Sequence, residues 1–338
     1  MKPRRGAPPC DAALILARAT LGLEAKGTIG CALTRRVPRP CPLHSGAMVL
    51  TERRMPLLPS RRMACVCTAV VQQLRIHPLK SAQGLTLERV RLEATGCEWD
   101  RRWMVIRPDG TFLTQRTTAA LARIAVTLTP EALRLECGAR PALSLPLAAA
   151  GAPREVRIWQ ETCAGADQGD EAAKWVSGVL GEPARIVRSA DAPLRRANPT
   201  YAGPQPAPIT FVDGFPLLMC SQTSLDALNA RLGAVLPMER FRPNLVLAGL
   251  EPFAEDRIET LHIGSVRLRL VKPCTRCVIP SHDQRTGLID IDPMPVLRAF
   301  RYDAALRGVT FGVNAVIEAG CGELIERGAE CRCEPRRS

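Results

Sequence analysis

Phenylalanine, tryptophan and tyrosine together make up only 4% of the 338 residues. That is too few for the aromatic stacking platforms of a single-strand nucleic-acid binder. There are four histidines, and His44 lies in an N-terminal stretch with no core of its own, so a Ser/His/Asp hydrolase finds no support. No run reaches the roughly 18 consecutive apolar residues that a membrane-spanning helix needs. No segment pairs a clean apolar core with a cleavage site, so no secretory signal is expected. Strand–helix–strand alternation and a glycine-rich nucleotide fingerprint are both missing. The 14 cysteines are numerous but do not form the dense, even framework of a small secreted domain. Mostly free thiols in a reducing cytoplasm are the expectation.

What remains is enough for two cores, and about two domains are expected at this length. Hydrophobic residues make up 46% of the chain, and the formal charge is +13. That charge is uneven. Residues 1–62 carry 12 Lys/Arg against 3 Asp/Glu, a net +9, which leaves +4 for residues 63–338. The basic character is largely a property of the first 62 residues and does not argue for a nucleic-acid partner. Three readings of that extension stay open: a transit peptide, translated upstream sequence with the start at Met63, or a disordered tail.

From Val66 onward, short alternating runs dominate. Strands are expected at 70–77, 85–92, 103–106 and 111–114, the last two joined across Pro108-Asp109-Gly110. Others follow at 122–128, 132–137, 143–146 and 154–159. Asp170–Leu180 has helical spacing. Residues 191–210 are polar and proline-rich and read as a linker or a loop over a site. A strand at 215–220 leads through a capping Ser or Thr into a helix at 225–232. Later strands are expected at 245–247, 260–270 and 311–318, with a short helix or turn near 296–302. The fold class is mainly β with few helices. The expected division is an extension (1–62), a first β-rich domain (63–190), a linker, a second β domain (211–328) and a tail (329–338) that holds Cys331 and Cys333.

Lys272-Pro273-Cys274-Thr275-Arg276-Cys277 follows an alternating run and sets two thiols and a guanidinium on one turn. Several chemistries fit: two buried thiols, a zinc site with His262 or His282 nearby, a redox pair, or one thiolate on a soft transition metal. Arg276 favours a thiolate beside it and can grip an oxyanion. Arg240-Phe241-Arg242-Pro243-Asn244 places two guanidiniums around an apolar residue, and Asn244 can both donate and accept. The same loop could instead be pinned to its own carboxylates, including Glu239. Lys80-Ser81, Asp100-Arg101-Arg102 and Gln115-Arg116 add basic groups at strand ends, where an anion pocket could form. Asp283, Asp290 and Asp292 lack calcium-loop spacing and read as turn residues.

These motifs, with Ser224-Leu225-Asp226-Ala227-Leu228-Asn229 and Phe311-Gly312-Val313-Asn314, occur in an order that resembles MOSC-domain proteins carrying an N-terminal MOSC barrel. Among these the chain resembles the mitochondrial amidoxime reducing components and their bacterial counterparts. The resemblance covers 70–328 and implies two β-rich domains with a molybdopterin-type cofactor (Mo-molybdopterin) between them. It implies that Cys277, rather than Cys274, ligates molybdenum. Lys80, Ser81 and Arg101 would hold phosphate and pterin, with Arg242, Asn244 and Arg276 as further contacts. Ser221 and Thr223 lie in a matching loop. The implied activity is two-electron reduction of small N-hydroxylated compounds, with electrons from a separate protein. A non-catalytic cofactor or sulfur carrier is the alternative. Ser281-His282-Asp283 and Ile289-Asp290-Ile291-Asp292-Pro293 depart from the family pattern near the expected substrate mouth.

Overall fold

In β1 (Cys67–Ile76), Ala69, Val71, Leu74 and Ile76 are buried. An alternating strand points every second side chain inward. The step from Val71 to Leu74 skips one position because the strand carries a bulge there. The computed structural model describes residues 66–148, 151–191 and 195–336; the expectations for 1–62 lie outside them.

The first half contains β2 (Trp103–Ile106), a meander of β3 (Ala125–Leu128), β4 (Ala132–Glu136) and β5 (Leu143–Pro146), and the hairpin β6 (Pro153–Ile158) and β7 (Glu161–Asp167). α1 (Gly169–Leu180) and β8 (Arg185–Ser189) complete it. A four-stranded sheet runs β2-β8-β7-β6. α1 buries Ala172 and Val176, has Asp170 and Glu171 in its first turn and ends on Gly181. Both ends suit the helix dipole and a left-handed stop. Its buried face meets Trp103, Val105, Leu133 and Leu135 in one core.

The second half adds β9 (Leu217–Ser221), α2 (Gln222–Leu232), β10 (Leu245–Ala248), β11 (Ile258–Ile263), β12 (Val266–Thr275), α3 (Met294–Arg301), β13 (Gly308–Ala319) and β14 (Glu330–Pro335). Its sheet runs β9-β10-β1-β14-β11-β12-β13, and β13 pairs back onto β9, closing a seven-stranded barrel. β9 and β10 are parallel; the other barrel pairs are antiparallel. Closure removes the exposed edges an open sheet would present. The fold is mainly β, as expected.

Two features differ from the sequence reading. β1 belongs to the seven-stranded barrel, so strand pairing crosses the expected boundary near 190–210. Cys331 and Cys333, expected in a loose tail, lie on β14, with Cys331 1% exposed and Cys333 fully buried. Alternate small residues on β14 fill the barrel beside Ala69, and so short a run gives little periodic signal. No helix among the described residues is long and apolar enough to cross a membrane.

Gly312 shows how tightly the barrel closes. Its φ is +72°, and a Cβ there would lie 2.6 Å from Cys220 Sγ and 2.7 Å from the Met219 carbonyl oxygen. Gly138, at φ +60°, has nothing within 4 Å. Gly138→Ala should therefore cost about 1 kcal/mol, the strain of the left-handed backbone. Gly312→Ala should cost about 3 kcal/mol or more because a backbone oxygen must also move. Urea denaturation of both variants checks this, and equal losses would contradict it.

Candidate functional site

The turn after β1 is hooked onto the start of β2. Lys80 N–H donates to the Trp103 carbonyl at 2.8 Å, Trp103 N–H to the Pro78 carbonyl at 3.0 Å, and Arg101 N–H to the His77 carbonyl at 3.0 Å. These bonds bring Lys80, Ser81 and Arg101 together at the end of the barrel. Ser81, Arg101 and Arg242 all have left-handed φ values of +69°, +48° and +55°. Such strain on non-glycine residues persists where the surroundings over-determine it, and it gathers at functional sites.

A cavity of about 290 Å³ opens between these residues and the end of β12. Lys80, Arg101, Arg116, Arg242, Lys272 and Arg276 line it, with Asp213 as the single acidic lining residue among the described residues. Cys274 and Cys277 lie on its wall. Of the expected site residues, the structure brings Lys80, Ser81, Arg101, Arg242, Asn244, Arg276 and Cys277 into this lining. Ser221 and Thr223 are not in it. The Ser221 hydroxyl is 2.8 Å from that of Thr223, which donates to the Leu250 carbonyl. Both hydroxyls serve the β9–α2 junction.

The cations are held by backbone oxygens as much as by carboxylates. Lys80 Nζ donates to the Phe211 carbonyl at 2.8 Å and to Asp213 Oδ1 at 2.6 Å. Burial pushes the Lys80 ammonium below its usual value, and Asp213 pulls part of that back. Burial would raise the Asp213 carboxyl, but Lys80 and then Arg116 bring it down to about 2. Arg101 donates to Asp100 Oδ2 at 2.5 Å and to the Arg242 carbonyl at 3.0 Å. Arg242 is 8% exposed, donates to the Ala82 carbonyl at 2.6 Å, and is pushed down to about 9 by burial and by Arg101. Its Nη2 has no hydrogen-bond partner among the described residues, and the same holds for Nε of Arg116 and of Arg276. A buried guanidinium left short of acceptors is costly unless an anion completes it.

Arg276 lies 5.4 Å over the Phe241 ring, and Phe241 stacks on Phe311 at 4.0 Å. Its Nη2 donates to the Phe241 carbonyl at 2.8 Å and its Nη1 to Cys274 Sγ at 3.2 Å. Burial works against its charge, but the Cys274, Cys220 and Cys277 sulfurs around it raise its pKa overall. Cys277 Sγ has no hydrogen-bond partner among the described residues. Cys274 is thus the partner of Arg276, and Cys277 faces the cavity uncommitted. The metal-cluster geometry a zinc reading needs is not met among the described residues.

Two expected groups have structural duties. Asn244 accepts from the Leu218 N–H and donates to the Arg75 carbonyl, tying β9 to β1. Arg240 points away from the cavity into a bidentate pair with Asp290 at 2.5 and 2.6 Å. The segment expected to depart from the family pattern forms this strut: Asp290 holds Arg240, Asp292 accepts from Ser281, and Asp283 caps its own loop. None of them lines the cavity. Asp213, Lys272 and Asn314 were missed as site residues. Asp213 sits in Val212-Asp213-Gly214, a run with no recognisable spacing to the cations it meets.

The N-terminal portion, residues 68–183, matches the MOSC N-terminal beta barrel domain, and residues 206–331 match the MOSC domain. The chain belongs to the MOSC-domain family. Mitochondrial amidoxime reducing component 2 of Rattus norvegicus is 31% identical over 291 residues, 80% of this chain and 86% of that protein. The human component 2 is 32% identical, covering 72% of this chain and 76% of that protein. Component 1 of Xenopus laevis is 27% identical, covering 79% and 88%.

Asp100 is the strut beneath the cations. It accepts from the His77 N–H at 2.7 Å as well as from Arg101. Burial alone would raise its carboxyl, yet Arg101 and His77 bring it to about 2, below the unfolded value of 3.8. A lowered carboxylate stabilises the fold above its unfolded pKa, and that contribution drains away as the pH falls through the folded one. Asp100→Asn should therefore lower stability at neutral pH by about 2 kcal/mol. It should also flatten the loss between about pH 4 and about pH 2. Urea titrations across that range check this; an unchanged slope would contradict it.

Proposed function

We propose that the protein is a molybdenum-cofactor-dependent reductase of small N-hydroxylated compounds. The observation that carries this reading is the convergence of six cationic side chains and two thiols of one turn on a single cavity. The fit to such a group rests on this chain's own atoms. The buried, under-partnered nitrogens of Arg242, Arg116 and Arg276 suit an anionic phosphate and the polar edge of a heterocycle. An uncommitted thiol on the same wall suits a soft metal. The relatives named as amidoxime reducing components supply the reaction class.

Lys80, Ser81 and Arg101 would hold the phosphate end, with Arg242 and Arg276 along the heterocycle. Asn244 would act chiefly by fixing the loop on which Arg242 sits. Cys277 would ligate the metal through Sγ. Cys274 would orient Arg276 and so fix the turn. The bound cofactor supplies the two-electron chemistry that cleaves an N–O bond. The balance is R–NH–OH plus two electrons and two protons giving R–NH₂ and water. The electrons come from a separate carrier protein. Burial of the cationic walls keeps competing water away and strengthens their pull on an anion. All ten described cysteines are free, which supports a reducing compartment, and we place the protein in the cytoplasm.

The two thiols separate the roles. In protein made in a host that produces molybdenum cofactor, Cys277→Ser should abolish metal retention and amidoxime reduction. Cys274→Ser, which loses the partner of Arg276 but no ligand, should reduce activity by about tenfold and keep the metal. Metal analysis and a reduction assay on both variants check this; equal losses at both positions would overturn the assignment of Cys277. Bound cofactor without reduction of any N-hydroxylated compound would favour a carrier instead.

A further inference from the structure

Arg242 has a second cavity beside it. That cavity holds about 230 Å³, and among the described residues Arg242 is the one that lines both. The rest of its wall comes from three segments: β1 and the turn after it, the turn ahead of Arg242, and the loop after Cys277. Apart from Gly84, every described lining residue is polar or charged. Cavities for organic ligands are lined mostly by apolar and aromatic groups. This wall has no such surface for a ring or a chain, and it suits a small charged species instead.

The charges in the wall are mostly of one sign. Arg75, Arg242 and Arg285 line the cavity against a single carboxylate, Glu239. Arg75 donates through Nη1 to Thr86 Oγ1 at 2.9 Å and reaches Glu239 through Nη2 only at 3.4 Å. Its Nε is buried and has no partner among the described residues. Arg242 donates through Nη1 to Gln284 Oε1 at 3.1 Å, while its Nη2 is also buried without a partner. Gln284 is 4% exposed and its amide is fixed by Gln115, so it anchors Arg242 in place. Burial and Arg101 push Arg242 down to about 9, and Arg75 adds to that push. Arg285 is exposed, and its side chain makes no hydrogen bond or ion pair with the described residues. Buried guanidiniums that repel one another and lack acceptors are stabilised by an anion.

We infer that the second cavity binds a small tetrahedral oxyanion of the phosphate class, held by Arg75, Arg242 and Arg285. Three guanidiniums against one carboxylate leave an excess that matches a doubly charged ion. Arginines arriving from three segments surround a tetrahedral ion, whereas a planar carboxylate is satisfied by one bidentate arginine. The site is separate from the reductase reading and does not depend on it. Because Arg242 belongs to both walls, an anion here also offsets a cation of the first cavity.

The test is a calorimetric titration of the full chain with inorganic phosphate at constant ionic strength, so that screening of surface charge stays fixed. Arg285→Gln removes a cation whose side chain supports nothing else in the fold, and it should weaken phosphate binding by roughly tenfold. Glu239→Gln removes the opposing charge and should tighten binding by roughly threefold. Lys80→Met alters only the first cavity and should leave this binding event in place. Opposite shifts at Arg285 and Glu239 would therefore identify the site. Phosphate affinity unchanged in both of those variants would overturn the inference, as would the lack of any phosphate binding by the wild type. Binding lost in Lys80→Met and kept in Arg285→Gln would also overturn it, because the ion would then sit in the first cavity.

Discussion

Mutual repulsion among buried cations is the constraint around which this structure is organised. Burial and the Arg101 charge push Arg242 down, and Lys80 sits close enough to Arg101 to feel it. Like charges in a low-dielectric cleft separate unless something holds them. Here backbone carbonyls do much of that holding: Phe211 for Lys80, Arg242 for Arg101, Ala82 for Arg242 and Phe241 for Arg276. To aim those carbonyls the chain adopts left-handed turns at Ser81, Arg101 and Arg242. Asp100 and Asp213 neutralise part of the charge, and the remainder is the pull on an anion.

Both halves of the molecule are needed for this arrangement. Lys80 and Arg101 come from the junction of β1 and β2, whereas Arg242 and Arg276 come from the barrel. β1 unites them because it ends at the Lys80 turn and pairs within the barrel along its length. The aromatic floor of Phe241 and Phe311 then fixes the height of Arg276. Movement in any of these pieces would alter cation spacing, which is why the glycine that lets β13 close on β9 bears on the site as well as on stability.

The local motifs were legible in the sequence. Lys80-Ser81 and Arg276-Cys277 follow alternating runs, Arg101 and Arg242 stand just ahead of strands, and a strand end is where a side chain can leave the sheet for a cleft. Helix α1 and the strand–helix step at Ser221 were legible through period, although the Ser221 hydroxyl makes no capping bond to the helix backbone. What escaped was set by long-range pairing. Nothing local in β1 says that it belongs to the seven-stranded barrel, and nothing in Glu330–Pro335 says that it lies in the sheet beside β1. Asp213 escaped because a carboxylate becomes part of the site only through cations distant in sequence. Ser221 and Thr223 were assigned to the cofactor by resemblance, but their hydroxyls bond within the β9–α2 junction. Asp290 serves as a brace for Arg240, and neither it nor Asp283 nor Asp292 lines the cavity.

The most direct measurement is the molybdenum and pterin content of the full chain purified from a host that makes the cofactor. The cationic cavity and the uncommitted Cys277 thiol predict close to one molybdenum and one pterin per chain. Protein made under those conditions that holds neither would contradict the account, and the cluster of buried cations would then need a different anion.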